Sequence, residues 1–360
     1  MARLVFLGTP DAAVPSLLAL LDAGHDVALV VSQPDRRRGR GATLVPSPVK
    51  KAAVERGVPV TDQLLDVLGA GADLGVVVAY GRLVPQSVLD DLAMVNVHFS
   101  LLPRWRGAAP VERAILAGDA VTGACLMRLE AGLDTGPVLA RAEMAIGAEE
   151  TAPELTARLA RLGADLLVSA LLGGVASLGP GEPQAGEATY AAKIDSDELR
   201  IDWERPAEAV VRLVRLGRAF TTWRGQRLRV LAATVRDAGG AGDVDGAAGV
   251  EGAAKADGAA GVDGAVGVDG AADAGGAAGG PVGPGPGSGS GPGTGVPPVG
   301  GGAGFGVVAG DGRIVDVLTV QAEGRRPTDA GSWWHGARPA VGERLGVDPA
   351  AAPPIAGSAR

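Results

Sequence analysis

Four short runs of consecutive apolar residues, separated by stretches with helical spacing, constrain this chain more than any other feature. Residues 3–8 read as a first strand. Residues 11–23 follow with helical spacing behind a candidate cap, Asp11. Residues 26–32, 74–79 and 94–98 are the second, third and fourth strands. Their apolar residues are continuous rather than alternating, so both faces of each strand are buried. Such strands separated by helices predict an α/β fold with a mostly parallel sheet covered by helices on both faces. Ligands of such sheets bind at the carboxyl ends of the strands. A leucine- and alanine-rich helix over 151–175 closes this first unit, which spans 1–176. Residues 177–189, rich in Gly, Pro and Glu, read as a linker. A second unit over 190–342 alternates as strands at 228–235, 306–308 and 314–320, which predicts a small β-barrel. Residues 343–360 read as a frayed tail.

Residues 238–305 interrupt that barrel. They hold 26 glycines in 68 positions, and 243–278 falls into six hexads such as GVDGAA. A hexad period suits a left-handed β-helix, but six hexads give only about two coils. Alanine and a few valines cannot offset the ordering entropy of so much glycine, so a disordered insertion is expected. The Gly-, Pro- and Ser-rich stretch 283–304 is expected to be a flexible linker. The insertion also explains the charge. The chain carries a formal −8, and the insertion's seven acids against Lys255 account for −6 of it. Local fields, not the total, decide what the rest can bind.

The single cysteine, Cys125, excludes an internal disulfide and suits a cytoplasmic setting. The first residues lack the apolar run of a signal peptide. No segment approaches the roughly 18 apolar residues of a membrane helix, so no membrane partner is expected. Neither a metal nor oligomerisation is expected; the chain reads as a monomer. A dehydrogenase is poorly supported, because no Gly-x-Gly-x-x-Gly follows the first strand.

The chemistry concentrates in Asn96-Val97-His98 and in Gly132-Leu133-Asp134-Thr135-Gly136-Pro137. On a strand, Asn96 and His98 point to one face. Asn96 offers an uncharged donor for a developing oxyanion. His98 can take or give a proton near neutral pH. Asp134 can orient an imidazole and stabilise its charged form. No serine or cysteine nucleophile accompanies them. The set therefore suits direct attack by a second substrate on a carbonyl, with the enzyme positioning the reactants. Taken singly, the Asn-x-His pair also reads as a satisfied strand end, and Asp134 as a turn residue.

Together with Gly8-Thr9-Pro10, Ser100-Leu101-Leu102-Pro103 and Arg106-Gly107, these motifs resemble the formyltetrahydrofolate-dependent formyltransferases. The resemblance covers about 1–236 and 306–342. It implies a Rossmann-like formyltransferase domain followed by a small OB-like barrel. It implies catalysis by Asn96, His98 and Asp134, a folate site that includes Ser100, Leu101, Leu102 and Pro103, and 10-formyltetrahydrofolate as formyl donor, released as tetrahydrofolate. The basic segment Arg36-Arg37-Arg38-Gly39-Arg40 reads as a long loop after the second strand, where arginines would attract phosphates. It resembles the acceptor-stem loop of those members of the family that act on methionyl-tRNA. The resemblance thus implies methionyl-tRNA as partner, with Arg36, Arg37, Arg38 and Arg40 as tRNA contacts. Arg205, Arg212, Arg215, Arg218, Arg224, Arg227 and Arg229 add a basic stripe in the second unit. A sugar-nucleotide amine is the rival acceptor, and a non-catalytic nucleic-acid-binding protein is the rival of another class. The glycine-rich hexads match nothing in the family's pattern.

Overall fold

In a computed structural model of the chain, which describes residues 1–38, 43–236, 291–296, 304–340 and 343–347, the first unit is a seven-stranded sheet between helical layers. In chain order it contains β1 (Arg3–Gly8), α1 (Val14–Asp22), β2 (Asp26–Val31), β3 (Arg36–Arg38) and β4 (Thr43–Val45). Next come α2 (Pro48–Glu55), β5 (Val60–Thr61), β6 (Leu74–Val78), α3 (Gln86–Asp91), β7 (Met94–His98), β8 (Arg106–Gly107) and α4 (Pro110–Ala117). β9 (Val121–Arg128), β10 (Val138–Ala145) and α5 (Ala152–Ala170) complete it. The sheet order is β10-β9-β7-β6-β1-β2-β5, parallel from β7 to β5 and antiparallel at β9 and β10.

Alternation within each strand sorts the core into two layers. Leu4, Phe6, Val76, Val95 and Val97 meet α1 and α5 through Leu17, Leu20, Leu155 and Leu159. Val5, Leu7, Val77 and Met94 face the opposite layer with Val67, Val88 and Leu92. Each fully buried side chain of this size contributes about 1.5–3 kcal/mol. Gly8 closes β1 where a Cβ would lie 2.8 Å from Phe6 and 2.9 Å from Ala13. The helix after it does not start on the expected cap. A 3-10 turn over Asp11–Ala13 begins at Pro10 without a side-chain cap bond. α2 is capped by Ser47, and α5 by a reciprocal Thr151–Glu154 box.

The second unit is β-rich. It contains β11 (Tyr190–Ala191), α6 (Ala207–Val214), β12 (Phe220–Trp223), β13 (Gln226–Arg236), β14 (Gly295–Val296), β15 (Phe305–Val308), β16 (Ile314–Ala322), β17 (Thr328–Asp329) and α7 (Ala330–Ala337). Except for β11, which pairs in parallel with β8, the strands form one antiparallel sheet ordered β12-β13-β16-β15-β14, with β17 on β16. The register shifts twice between Val230 and Ala233, and such bulges bend a long strand. The concave side closes over Trp203, Trp223, Phe305 and Trp334, with Phe305 stacked on Trp334 at 4.5 Å.

The hexads lie outside the described residues. Their flanks are informative. Arg236 pairs with Ile314, Ile314 with Val308, and Val308 donates its N–H to the Thr294 carbonyl. The chain therefore leaves and re-enters the sheet at the same end, with two strands, β16 and β15, between the two points. Residues 291–296, expected to be linker, instead add β14 to the sheet edge, and Leu345 is buried against them with its N–H on the Gly293 carbonyl. The tail thus differs from the expectation at 343–347. Because the described residues form the second core without 243–278, deletion of those residues is expected to shift the melting temperature by only a few degrees. Loop closure changes slowly with length, and calorimetry of the deletion variant checks this.

Candidate active site

β7 delivers Asn96 and His98 to one face, as period two requires. His98 is 6% exposed, and its Nε2 lies 2.8 Å from the Trp105 carbonyl. A carbonyl only accepts, so this nitrogen carries the proton, and the Nδ1 lone pair of the neutral ring remains free. Nδ1 lies 3.7 Å from Asp134 Oδ2, close enough to stabilise an imidazolium and too long for a hydrogen bond. The ring is therefore oriented by a backbone carbonyl, where the sequence suggests the carboxylate. Asp134 Oδ2 instead accepts the Gly107 N–H at 2.8 Å. Asn96 is half-buried, and none of the described residues hydrogen-bonds its amide.

Asp134 arrives by an indirect route. Leu129 donates to the Met94 carbonyl at the amino end of β7, yet five residues later Asp134 stands beside His98 at the other end. The loop doubles back along the strand. Asp134 has φ 50°, and Trp105 (φ 63°) and Ala79 (φ 45°) are likewise left-handed. Three of the five non-glycine residues with positive φ among the described residues thus border this site, a conformation that costs about 1–3 kcal/mol each.

The segment read as a linker ties these loops down. Trp105 N–H donates to Thr189 Oγ1 at 2.9 Å, and β11 pairs with β8, where Gly107 (φ 119°) leaves no room for a Cβ against the Ala191 carbonyl. Gln184 accepts two N–H bonds from Arg106, at 3.0 and 2.7 Å, and donates to the carbonyls of Asp134 and Gly136, both at 2.8 Å. Arg104 and the Trp105 indole both bond Asp119. Neither Gln184 nor Asp119 carries a signal in the sequence, since each is an ordinary polar residue outside the motifs.

The predicted folate residues divide. Ser100 is fully buried, with its hydroxyl on the Arg104 carbonyl at 2.6 Å. Leu102 is 3% exposed and packs with Cys125, Met127 and Val138. Both side chains therefore build the turn. Leu101 and Pro103 are half-buried, and the Leu102–Pro103 bond is cis. Burial pushes the Cys125 thiol up, so the one cysteine opposite His98 in register is no thiolate. Large apolar side chains remain exposed at Leu83 (81%), on the segment between β6 and α3, and at Leu133 (50%), next to Asp134 in the chain.

The basic segment is not a plain loop. β3 and β4 form a ribbon that pairs Arg36 with Val45 and Arg37 with Leu44. Arg36 and Arg37 are exposed. Arg38 sits on β3, and Arg40 lies outside the described residues. Arg36 lines a cleft of about 350 Å³ with Thr9, Gln33, Ser47, Tyr80 and Gly81, at the carboxyl ends of β1, β2 and β6. The arginine stripe is thinner than expected. Arg215 bonds the Glu150 and Gly147 carbonyls at 2.7 and 2.9 Å, Arg224 pairs with Glu343, and Arg227 stacks on Phe220.

The fold and this site define a class. Residues 2–171 match the formyl transferase family and residues 193–276 match the formyl transferase C-terminal domain, and the chain belongs to the formyl transferase family. It is 48% identical over 252 residues to a methionyl-tRNA formyltransferase of Roseobacter denitrificans, covering 66% of this chain and 82% of that protein. A methionyl-tRNA formyltransferase of Dinoroseobacter shibae is 49% identical over 253 residues, covering 66% and 84%. Among solved structures, the N-formyltransferase of Helicobacter canadensis, in complex with folinic acid and dTDP-3-aminofucose, superposes with a TM-score of 0.57. It is 14% identical, covering 89% of this chain and 100% of that one, and so shares the fold.

Ser100→Ala should separate turn-building from ligand contact. It is expected to cost about 1 kcal/mol in urea unfolding, for the loss of the part-buried bond to the Arg104 carbonyl. The KM for the folate donor should not change. Unchanged stability with a raised KM would place Ser100 in contact with the ligand.

Proposed function

We propose that this chain transfers the formyl group of 10-formyltetrahydrofolate to the amine of methionyl-tRNA, and that Asn96, His98 and Asp134 perform the chemistry. The convergence of an unpartnered Asn96 amide with the free Nδ1 of His98, 3.7 Å from Asp134, carries the reading. Identity of 48% to a relative named for this reaction supports the acceptor. The exposed Leu133, next to Asp134, fits a flat, partly apolar donor. That donor supplies a formyl carbon open to attack by an amine.

Asn96 Nδ2 donates to the formyl oxygen as negative charge grows on it. A preorganised neutral donor in a half-buried site stabilises that charge without reorganising. His98 Nε2 is committed to Trp105, so the amine's proton goes to Nδ1. There Asp134 stabilises the imidazolium, which can return the proton to the departing nitrogen. The carboxylate acts through its charge and accepts the Gly107 N–H. The Arg36–Arg38 ribbon, with Arg40 beyond it, stands beside the cleft and would hold acceptor phosphates.

Two measurements test this. Asn96→Ala should lower kcat by about 10²–10³ with little change in KM, because its donor matters most in the transition state. Near-normal turnover by the folded variant would remove Asn96 from the mechanism. Arg36→Ala and Arg40→Ala should weaken use of methionyl-tRNA and flatten its salt dependence. The log–log slope should fall by about 0.7–0.9 for each phosphate that is no longer neutralised. Folate binding should be untouched. Efficient formylation of a sugar-nucleotide amine, with no transfer to methionyl-tRNA, would replace the acceptor.

A further inference from the structure

Gln184 lies in the segment between the two units, far in sequence from either catalytic motif, yet four hydrogen bonds join it to the loop that carries Asp134 and to Arg106. Its Oε1 accepts from Arg106 Nε and Nη2, at 3.0 and 2.7 Å. Its Nε2 donates to the carbonyls of Asp134 and Gly136, each at 2.8 Å. The orientation of the amide is set by its partners. A guanidinium can only donate and a carbonyl can only accept, so no flipped amide serves both sides. The neighbouring Glu182 adds a two-way backbone bridge to Val138, with both bonds at 2.8 Å.

We infer that Gln184 is a positioning residue for formyl transfer: it holds the doubled-back loop over β7 so that Asp134 stays beside His98. The loop needs such a clamp. It starts at the amino end of β7, must return along the strand, and passes through a left-handed Asp134. Gln184 grips the carbonyl of that very residue. It grips Arg106 on the other side, next to Gly107, whose N–H binds the Asp134 carboxylate. One side chain thus fixes both ends of the Gly107–Asp134 contact. Neither glutamate nor methionine can replace it. Glutamate keeps the arginine contact but turns an acceptor toward two carbonyls, and methionine keeps the length while losing all four bonds.

The inference rests on the formyl-transfer reading, so the test has one arm that does not. Wild type, Gln184→Glu and Gln184→Met are compared in the full chain. In kinetics with methionyl-tRNA, both variants are expected to lose about 10–100-fold in kcat, with KM changed less than about threefold, as for a misplaced catalytic group. In an Asp134→Ala background, Gln184→Met should cost no further kcat beyond about twofold, because the two act as a unit. In amide hydrogen exchange, the Gly107 N–H should exchange at least about tenfold faster in both variants, while the melting temperature moves by only a few degrees. Wild type that fails to formylate methionyl-tRNA would overturn the functional reading, and Gly107 exchange would still decide the clamp. Unchanged Gly107 exchange, kcat reductions that multiply with Asp134→Ala, or a Gln184→Glu enzyme with wild-type kcat would each overturn the positioning role.

Discussion

The carbonyl of Trp105 decides which nitrogen of His98 is available, and much of the surrounding structure serves to keep that carbonyl in place. Left to itself, a tryptophan avoids the left-handed region that Trp105 occupies. Three attachments hold it there. Its indole N–H bonds Asp119, its backbone N–H bonds Thr189, and the Arg104 guanidinium stacks 4.5 Å above its ring while pairing with the same Asp119. With Nε2 committed, the proposed proton transfer falls to Nδ1, and Asp134 lies on that side. The division of labour in the site follows from one backbone acceptor. The carboxylate need not orient the ring, so it is free to act through charge at 3.7 Å.

That dependence shows what sequence could and could not convey. Strands β1, β6 and β7 are legible because unbroken apolar runs have few other uses. Asn96 and His98 are legible as a pair because strand periodicity places them together. β9 and β10 are not legible in the same way. Gly123 and Ala124 dilute the β signal of the first. Arg141 and Glu143 give the second the charged pattern of a sheet edge. Asp134 is legible as a residue type, whereas its path is not, since nothing local says that the loop after β9 runs back along β7. The orienting carbonyl of Trp105 is invisible in principle, because every residue has one. Ser100 and Leu102 show a different limit. A motif beside a site invites the assumption that its side chains touch the ligand, and here two of the four are used up inside the turn.

Arginines make the same point about charge. A stripe of seven in the second unit suggests a phosphate surface, but several are internal struts. Arg215 reaches into the first unit to bond the carbonyls of Gly147 and Glu150 and is half-buried there, with desolvation pulling its pKa down. Together with Arg113, which spans from α4 to Glu198 and the Ala192 carbonyl, it fastens the two units at a second place besides β8–β11. Arginine suits this task because its planar fork satisfies two acceptors at once. Counting such residues as free positive charge overstates the surface available to a polyanion and understates how firmly the second unit is mounted.

The mounting and the strain belong to one energetic argument. A left-handed non-glycine residue costs about 1–3 kcal/mol. A hydrogen bond returns about 0.5–1.5 kcal/mol, more when one partner is charged. At Asp134, one strained residue is met by the Gly107 N–H on its carboxylate and by the Gln184 amide on two loop carbonyls. Three such bonds, one of them to a carboxylate, return about 2.5–6 kcal/mol and so offset the strain. The loop is therefore held by its contacts rather than by its own conformational preference, and two of those three contacts come from the segment that leads to the second unit. An α/β sheet supplies Asn96 and His98 at fixed positions whatever follows it in the chain. The position of Asp134, the proposed third member of the set, draws two of its three contacts from the docked residues 182–191. This gives a physical reason for the second unit to be tied so closely to the first, beyond any surface it offers to an acceptor.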